Sequence, residues 1–188
     1  MALLIVGLVV FLGVHSTRMI APGWRDGLVA RHGEGLYKGL YSALSLVGFV
    51  LIIVGFGQAA ATGGMAYEPP AGMRHLDFAL MLPALVLAIA SVLPPGYIRR
   101  AVRHPLLIGT ALWAVAHLLV NGETAAVILF GAFLAWALAD LVVRWRSVRP
   151  AGVASPLYDL VAVVAGVAVY GALVWRLHEW AFGVAPMA

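Results

Sequence analysis

The sequence predicts an all-α fold, an integral membrane bundle of six transmembrane helices with both termini on the periplasmic side. Three observations predict it. Of 188 residues, 63% are hydrophobic and 11% charged, with a mean hydropathy of +0.99, which leaves too few polar residues to cover a soluble domain. Apolar stretches at 2–19, 39–60, 76–93, 105–120, 123–143 and 156–174 are each about long enough to cross a hydrocarbon core of ~30 Å. Between them the basic residues alternate. Arg18, Arg25, Arg31 and Lys38 lie on the first connection, Arg99, Arg100 and Arg103 on the third, and Arg144, Arg146 and Arg149 on the fifth, against Arg74 and Arg176 opposite. Lys and Arg are retained on the cytoplasmic side, so the termini face outward.

The first stretch opens MALLIVGLVV, with no basic residue before Arg18. It lacks the charged start of a cleaved signal peptide and is expected to remain as a structural helix. Pro22 is expected to end it within the connection 21–38, and WRDGLVARHGEGLYKGLY, 24–41, with its tyrosines, to form a short interfacial helix. Pro83 predicts a kink in the third stretch. Gly63, Gly64, Pro69 and Pro70 make 61–75 a flexible outward loop, and Asn121-Gly122 a tight turn. The segment SVRPAGVASP is a linker before the sixth helix. There is no internal repeat, and residues 1–188 are expected to form a single domain.

The net charge of +4 is accounted for by topology, so no nucleic-acid partner is expected. The chain has no cysteine, which excludes disulfides, thiolate ligands and cysteine nucleophiles. Phosphate-loop, zinc-protease, nucleophile-elbow and dinucleotide signatures are absent. What remains is a handful of ionisable side chains in apolar helices, where their cost makes them functional candidates.

His15 admits two readings: an imidazole hydrogen-bonded to Ser42, Ser45 or a neighbouring carbonyl, or a metal or haem ligand. His117 shares a face with Thr110, Trp113 and Asn121 by spacings of three and four, as interhelical packing or as a ligand. His104, in RRAVRHPLLIG, is either an interfacial start signal before Pro105 or, with Arg103, part of a cationic pocket at a helix N-terminus. His32, His75 and His178 lie in connections or near the final helix end and are expected to be solvated. Asp140 and Asp159 are expected to pair with Arg103, Arg144 or Arg18. Glu123 complements a helix dipole.

Three segments carry a family resemblance: FLGVHSTRMIAPGWRDGLVARHGEGLYKGLYSALSLVGFVLI, then IRRAVRHPLLIGTALWAVAHLLVNG, then LFGAFLAWALADL. In order and spacing they resemble the NnrU family of bacterial membrane proteins, from Phe11 to about Leu141. The resemblance implies the bacterial inner membrane, with the lipid bilayer as surroundings and a link to denitrification and nitric oxide. It implies a nitrogen-oxide or apolar small-molecule substrate and redox or denitrification membrane partners. That family is in turn similar to zeta-carotene isomerase, a membrane enzyme using haem b. The likeness lies in Arg-His-Pro followed thirteen residues later by a helix histidine, matched by His104 and His117, and in an early histidine matched by His15. It implies haem b with His15 and His117 as its metal ligands. Ala114 stands where the isomerase has a cysteine, which excludes thiolate ligation and counts against carotenoid isomerisation. By helical rise His15 lies about 4.5 Å from Arg18 and His117 about 21 Å from Arg103, so depth favours His15 with His104 as an alternative pair. A cofactor-free component supporting a denitrification complex is the second reading. RHPLLIG also looks like an element of isoprenylcysteine carboxyl methyltransferase, implying S-adenosylmethionine near Arg103 and His104, although the later Glu-Glu element is missing.

Overall fold

Each apolar stretch folds as helix, because a lipid-facing backbone has no water to satisfy its N–H and C=O groups. The computed structural model describes residues 1–145 and 152–187. In order they form α1 (Ala2–His15), α2 (Thr17–Ile20), α3 (Pro22–Thr62), α4 (Met73–Val92), α5 (Tyr97–Val102), α6 (Pro105–Val120), α7 (Thr124–Arg144), α8 (Pro156–Ala172) and α9 (His178–Phe182). A π-helical segment, Leu173–Leu177, joins the last two. Arg146, Arg149 and the first half of the expected linker, 147–151, lie outside the described residues.

Four helices among the described residues, not six, are long and apolar enough to cross a membrane: α3, α4, α7 and the run Pro156–Phe182. α1 has 14 residues and α6 has 16, roughly 21 and 24 Å at ~1.5 Å per residue, short of a ~30 Å core. Local chemistry sets both limits. The Ser16 hydroxyl bonds the Leu12 carbonyl at 2.7 Å, where α1 gives way to the single turn α2. α6 begins at Pro105, just after Arg103 at φ +62°, and ends at Asn121-Gly122. The short helix expected after Pro22 is present, as the piece 22–32 set off from the rest of α3 by a kink at Gly33, and it ends earlier than expected. The 41 residues of α3 are two helical pieces joined at Gly33, whose φ 82° and ψ 156° break the helix in a backbone conformation that glycine adopts without strain. Tyr37 and Lys38 therefore belong to the long arm of α3. Pro83 sits inside α4 without ending it.

The described chain divides into two compact units, Met1–Pro69 with Asn121–Trp145, and Pro70–Val120 with the remainder. In the first, α1 packs antiparallel on α3. Gly55 meets Leu4, Gly7 meets Ile52 and Gly48 meets Phe11, so closely that a Cβ on Gly7 or Gly48 would lie 2.6 or 2.8 Å from a backbone nitrogen. Lipid gives helices little hydrophobic reason to associate, so close backbone approach through small residues does that work. Leu4, Leu8, Ile52, Ala59 and Ala125 form the buried core, with Phe11, Phe56 and Phe133 against it.

The expected flexible loop after α3 is pinned. The amides of Ala66 and Tyr67 donate to the Gly122 carbonyl at 2.7 and 3.2 Å, and that of Thr124 to the Gly64 carbonyl at 2.9 Å. Met65 and Glu123 form an isolated antiparallel bridge, and the Tyr67 hydroxyl donates to the Asn121 carbonyl at 3.2 Å. Any side chain at Gly122 would strike the Tyr67 carbonyl. The loop backbone thus satisfies its polar groups against the start of α7.

In the second unit α4 packs against both α6 and α8. Gly109 admits the Ala84 and Ala88 backbone and Gly166 admits Val86, while Ala114, Ala116 and Ala162 are fully buried. In both units large apolar side chains point outward, among them Leu46, Val142 at 78% exposure and Val164. That pattern suits contact with a lipid bilayer.

Candidate functional site

His15 is the last residue of α1, and its Nδ1 donates to the Phe11 carbonyl one turn back at 2.7 Å. Of the partners expected, the neighbouring carbonyl is the one used. The ring stacks on Phe11 with centroids 4.2 Å apart, lies 5.2 Å from Tyr41 and meets the Trp136 edge at 6.2 Å. The Trp136 indole N–H donates to the Ser16 hydroxyl at 3.1 Å. Thr17 and Tyr37 hydroxyls lie 3.2 Å apart. Ser45 lies on the stripe of α3 that also carries Tyr41, Gly48 and Ile52, and its buried hydroxyl meets no partner among the described residues. Asp140, 3% exposed, accepts from Arg144 Nε at 2.6 Å, the pairing expected of it.

His117 belongs to the second unit, three residues from the end of α6. It repeats the arrangement of His15: Nδ1 donates to the carbonyl four residues back, Trp113, at 2.9 Å, with the Trp113 ring 5.3 Å away. A third ring, His178, stands 6.4 Å from His117 at an interplanar angle of 31°. Its position in the sequence predicts a solvated side chain, but the residue is half-buried. Its Nδ1 donates to the Val184 carbonyl at 2.7 Å, and Phe182 lies 4.9 Å away. Asp77 of α4 interacts electrostatically with it.

The Arg-His-Pro element opens α6. The His104 amide donates to the Val102 carbonyl at 2.7 Å, and its carbonyl accepts from Ile108 at 3.2 Å, so it starts the helix as expected. Upstream, Arg99 donates to the Leu93 carbonyl and Arg100 to the Gly152 carbonyl. Among the described residues, Asp159 takes backbone donors in place of the arginine expected for it. Its carboxylate accepts the amides of Tyr97 at 2.8 Å and Ile98 at 3.0 Å, supplying the first turn of α5 with an acceptor.

Residues 3–186 match a family model described as NnrU protein. The chain belongs to the NnrU family. No curated protein and no solved structure matches it. Of the residues singled out in this NnrU chain, His15 lies in one unit, and His117, His104 and Arg103 in the other. Reasoning from sequence missed Trp136 and read His178 as solvated. The first had a signal, because Trp136, Asp140 and Arg144 recur at intervals of four on one face of an otherwise apolar helix. The second had none, because a π-helical segment sets its position.

Each unit holds an imidazole anchored through Nδ1 to a backbone carbonyl. A neutral imidazole that donates through Nδ1 to a carbonyl carries its lone pair on Nε2, and carbonyl-anchored imidazoles are the usual metal-ligating form. His15, His117 and His178 all have this form. The Phe11, Tyr41 and Trp136 rings pack around His15, and Trp113 beside His117. Among the described residues no cluster of three His, Asp or Glu side chains is placed to hold a metal ion.

Proposed function

We propose that this NnrU-family protein is a multi-pass protein of the bacterial inner membrane that binds haem b through membrane-embedded histidines and serves nitrogen-oxide metabolism. The anchoring of His117 through Nδ1 to Trp113 in an otherwise apolar helix is the observation that supports this reading, since it fixes the ring as metal-ligating imidazoles are commonly fixed. His15 is the other position the family likeness offers, anchored in the same way, and Arg103 and His104 are the flanking candidates. Bound haem supplies a one-electron couple and affinity for nitric oxide. The protein's part is to fix each imidazole tautomer and to surround the group with apolar and aromatic side chains.

The whole of 1–188 acts in this reading as one membrane domain, crossing six times with both termini periplasmic. α3 and α7 run antiparallel, held at one end by the Met65–Glu123 bridge, and α4 and α6 meet at Ala84 and Gly109. If Arg99, Arg100 and Arg103 lie inside and Glu123 outside, α6 must carry the chain across. Local thinning of the bilayer accommodates its length.

Absorption spectra of the detergent-purified protein, from cells supplied with haem, test the reading. A Soret band that is lost or shifted in His117→Ala supports it. A preparation that stays colourless after in vitro loading with hemin overturns it.

A second reading, a cofactor-free component that supports a denitrification complex, draws on the packing of His15, whose ring already has three aromatic neighbours. It expects His15→Ala to lower stability and no chromophore to be present, with co-purification of a reductase subunit.

A further inference from the structure

We propose that the cleft between Trp175 and Trp180, at the far end of the last membrane helix, binds the headgroup of a zwitterionic phospholipid of the ethanolamine type. Its phosphate lies on Arg176 and its ammonium on Glu179. The inference needs no cofactor and goes beyond the haem reading.

The π-helical turn builds the cleft. Residues five apart in an uninterrupted α-helix point about 140° away from each other. The segment Leu173–Leu177 is π-helical and takes up one extra residue, so residues five apart across it stand as residues four apart normally do, within about 40°. Trp175 and Trp180 are therefore brought to one side, where they line a single open cleft with Ala172, Arg176 and Glu179. Both indoles are turned outward, at 78% and 84% exposure. π-helical turns recur at functional sites, and this one pairs two aromatic rings around two charges.

Depth identifies the surroundings. Asp159, in the first turn of α8, takes the amides of Tyr97 and Ile98 beside Arg99 and Arg100, which marks a charged edge at one end of the span. At ~1.5 Å per residue Trp175 lies about 24 Å and Trp180 about 31 Å along the helix from Asp159. A hydrocarbon core is ~30 Å thick, so the cleft falls at its opposite edge. That is the headgroup level, where indoles put an apolar body among acyl chains and an N–H among polar groups.

Charge selects the headgroup. Arg176 Nη1 and Glu179 Oε2 stand 3.9 Å apart, with both side chains exposed. The pair attracts at that distance but is too long to be a hydrogen bond, which leaves the guanidinium and the carboxylate able to take partners. A phosphate alone satisfies Arg176 and repels Glu179. A phosphoethanolamine headgroup offers each its opposite: phosphate oxygens accept from the guanidinium, and the primary ammonium donates to the carboxylate.

The test titrates the full-length protein in detergent with phosphatidylethanolamine or phosphatidylglycerol and follows the first bound lipid by native mass spectrometry. Wild type is expected to bind the ethanolamine lipid about two- to fivefold more tightly, the worth of one exposed charge pair. Glu179→Gln should abolish that preference while keeping the glycerol lipid, and Arg176→Gln should weaken both. Melting temperatures should stay at the wild-type value, because all four side chains are exposed. Phosphatidylethanolamine with brominated acyl chains locates the site: it should quench tryptophan emission less in Trp175→Phe with Trp180→Phe than in wild type. Equal affinity of wild type for the two lipids, or a preference that survives Glu179→Gln, overturns the proposal. A lipid-free dimer that Trp175→Phe with Trp180→Phe abolishes would put a second copy of the chain on the cleft and overturn it as well.

Discussion

Trp136 donates its indole N–H to the Ser16 hydroxyl at 3.1 Å, and Ser16 donates its own proton to the Leu12 carbonyl at 2.7 Å. A residue of α7 is thereby tied to the point where α1 ends. The same indole presents its edge to His15, so one side chain both satisfies the buried serine and walls the imidazole. Ser16→Ala leaves the indole donor without this acceptor at a cost of ~1–3 kcal/mol, whereas Trp136→Phe with Ser16→Ala removes both polar groups together. Thermal unfolding in detergent should therefore show the double variant losing less stability than the two single variants summed.

Gly55 and Gly13 make a contrast in the first unit. A Cβ on Gly55 would strike the Leu4 backbone, whereas one on Gly13 meets nothing within 4 Å. Gly55→Val should force α1 away from α3, with a loss of at least the ~1–3 kcal/mol typical of overpacking. Gly13→Ala should be neutral or stabilise by up to ~1 kcal/mol through helix propensity. A melting temperature measured for each variant distinguishes packing from propensity, and equal losses would contradict the close approach of the helices.

The helices are legible in the sequence because hydropathy and helical hydrogen bonding leave a lipid-facing chain no other local structure. Their lengths are less so. The apolar run from Ala2 ends at Val14, and a span drawn on to Met19 passes over the polar stretch His15-Ser16-Thr17-Arg18, where the Ser16 hydroxyl bonds the backbone as the helix is interrupted. The glycines and prolines of 61–75 suggest a free loop, but long-range pairing with Gly122 and Thr124 pins it, and pairing between residues some sixty apart leaves no local trace. His15 and His117 stand out as ionisable groups in greasy helices. His178 does not, since its place depends on a π-helical turn followed by a left-handed glycine, and only folding brings its ring beside His117. Asp159 is legible as a charge needing a partner, though the partner is two backbone amides instead of an arginine.

Asp159 therefore acts as an acceptor at the start of α5 while sitting in the first turn of α8. Hydrogen bonds to a charged group contribute ~1.5–3 kcal/mol, and a carboxylate at a helix start adds a few tenths through the dipole. Asp159→Ala should lose most of this, and Asp159→Asn, which keeps one acceptor oxygen, distinctly less. Greater proteolytic cleavage within 94–104 in the alanine variant than in the asparagine variant would be the accompanying sign. Equal behaviour of the two would show that the amides do not depend on this carboxylate.

The threading of the chain can be read directly, because a protein with no cysteine takes single reporter cysteines without a background. Ala71, between α3 and α4, and Ala101, in α5, are both exposed. The basic residues Arg99, Arg100 and Arg103 flank Ala101, and the proposed threading, built on retention of positive charge on the cytoplasmic side, has that connection inside. Only Arg74 lies near Ala71. A membrane-impermeant maleimide added to intact spheroplasts should thus label Ala71→Cys and spare Ala101→Cys until the membrane is permeabilised. Ala2→Cys should behave like Ala71→Cys, because an even number of crossings separates them when α1 and α3 both span. Labelling of Ala2→Cys only after permeabilisation, with Ala71→Cys still labelled from outside, would make the number of crossings odd and leave α1 lying on the inner face.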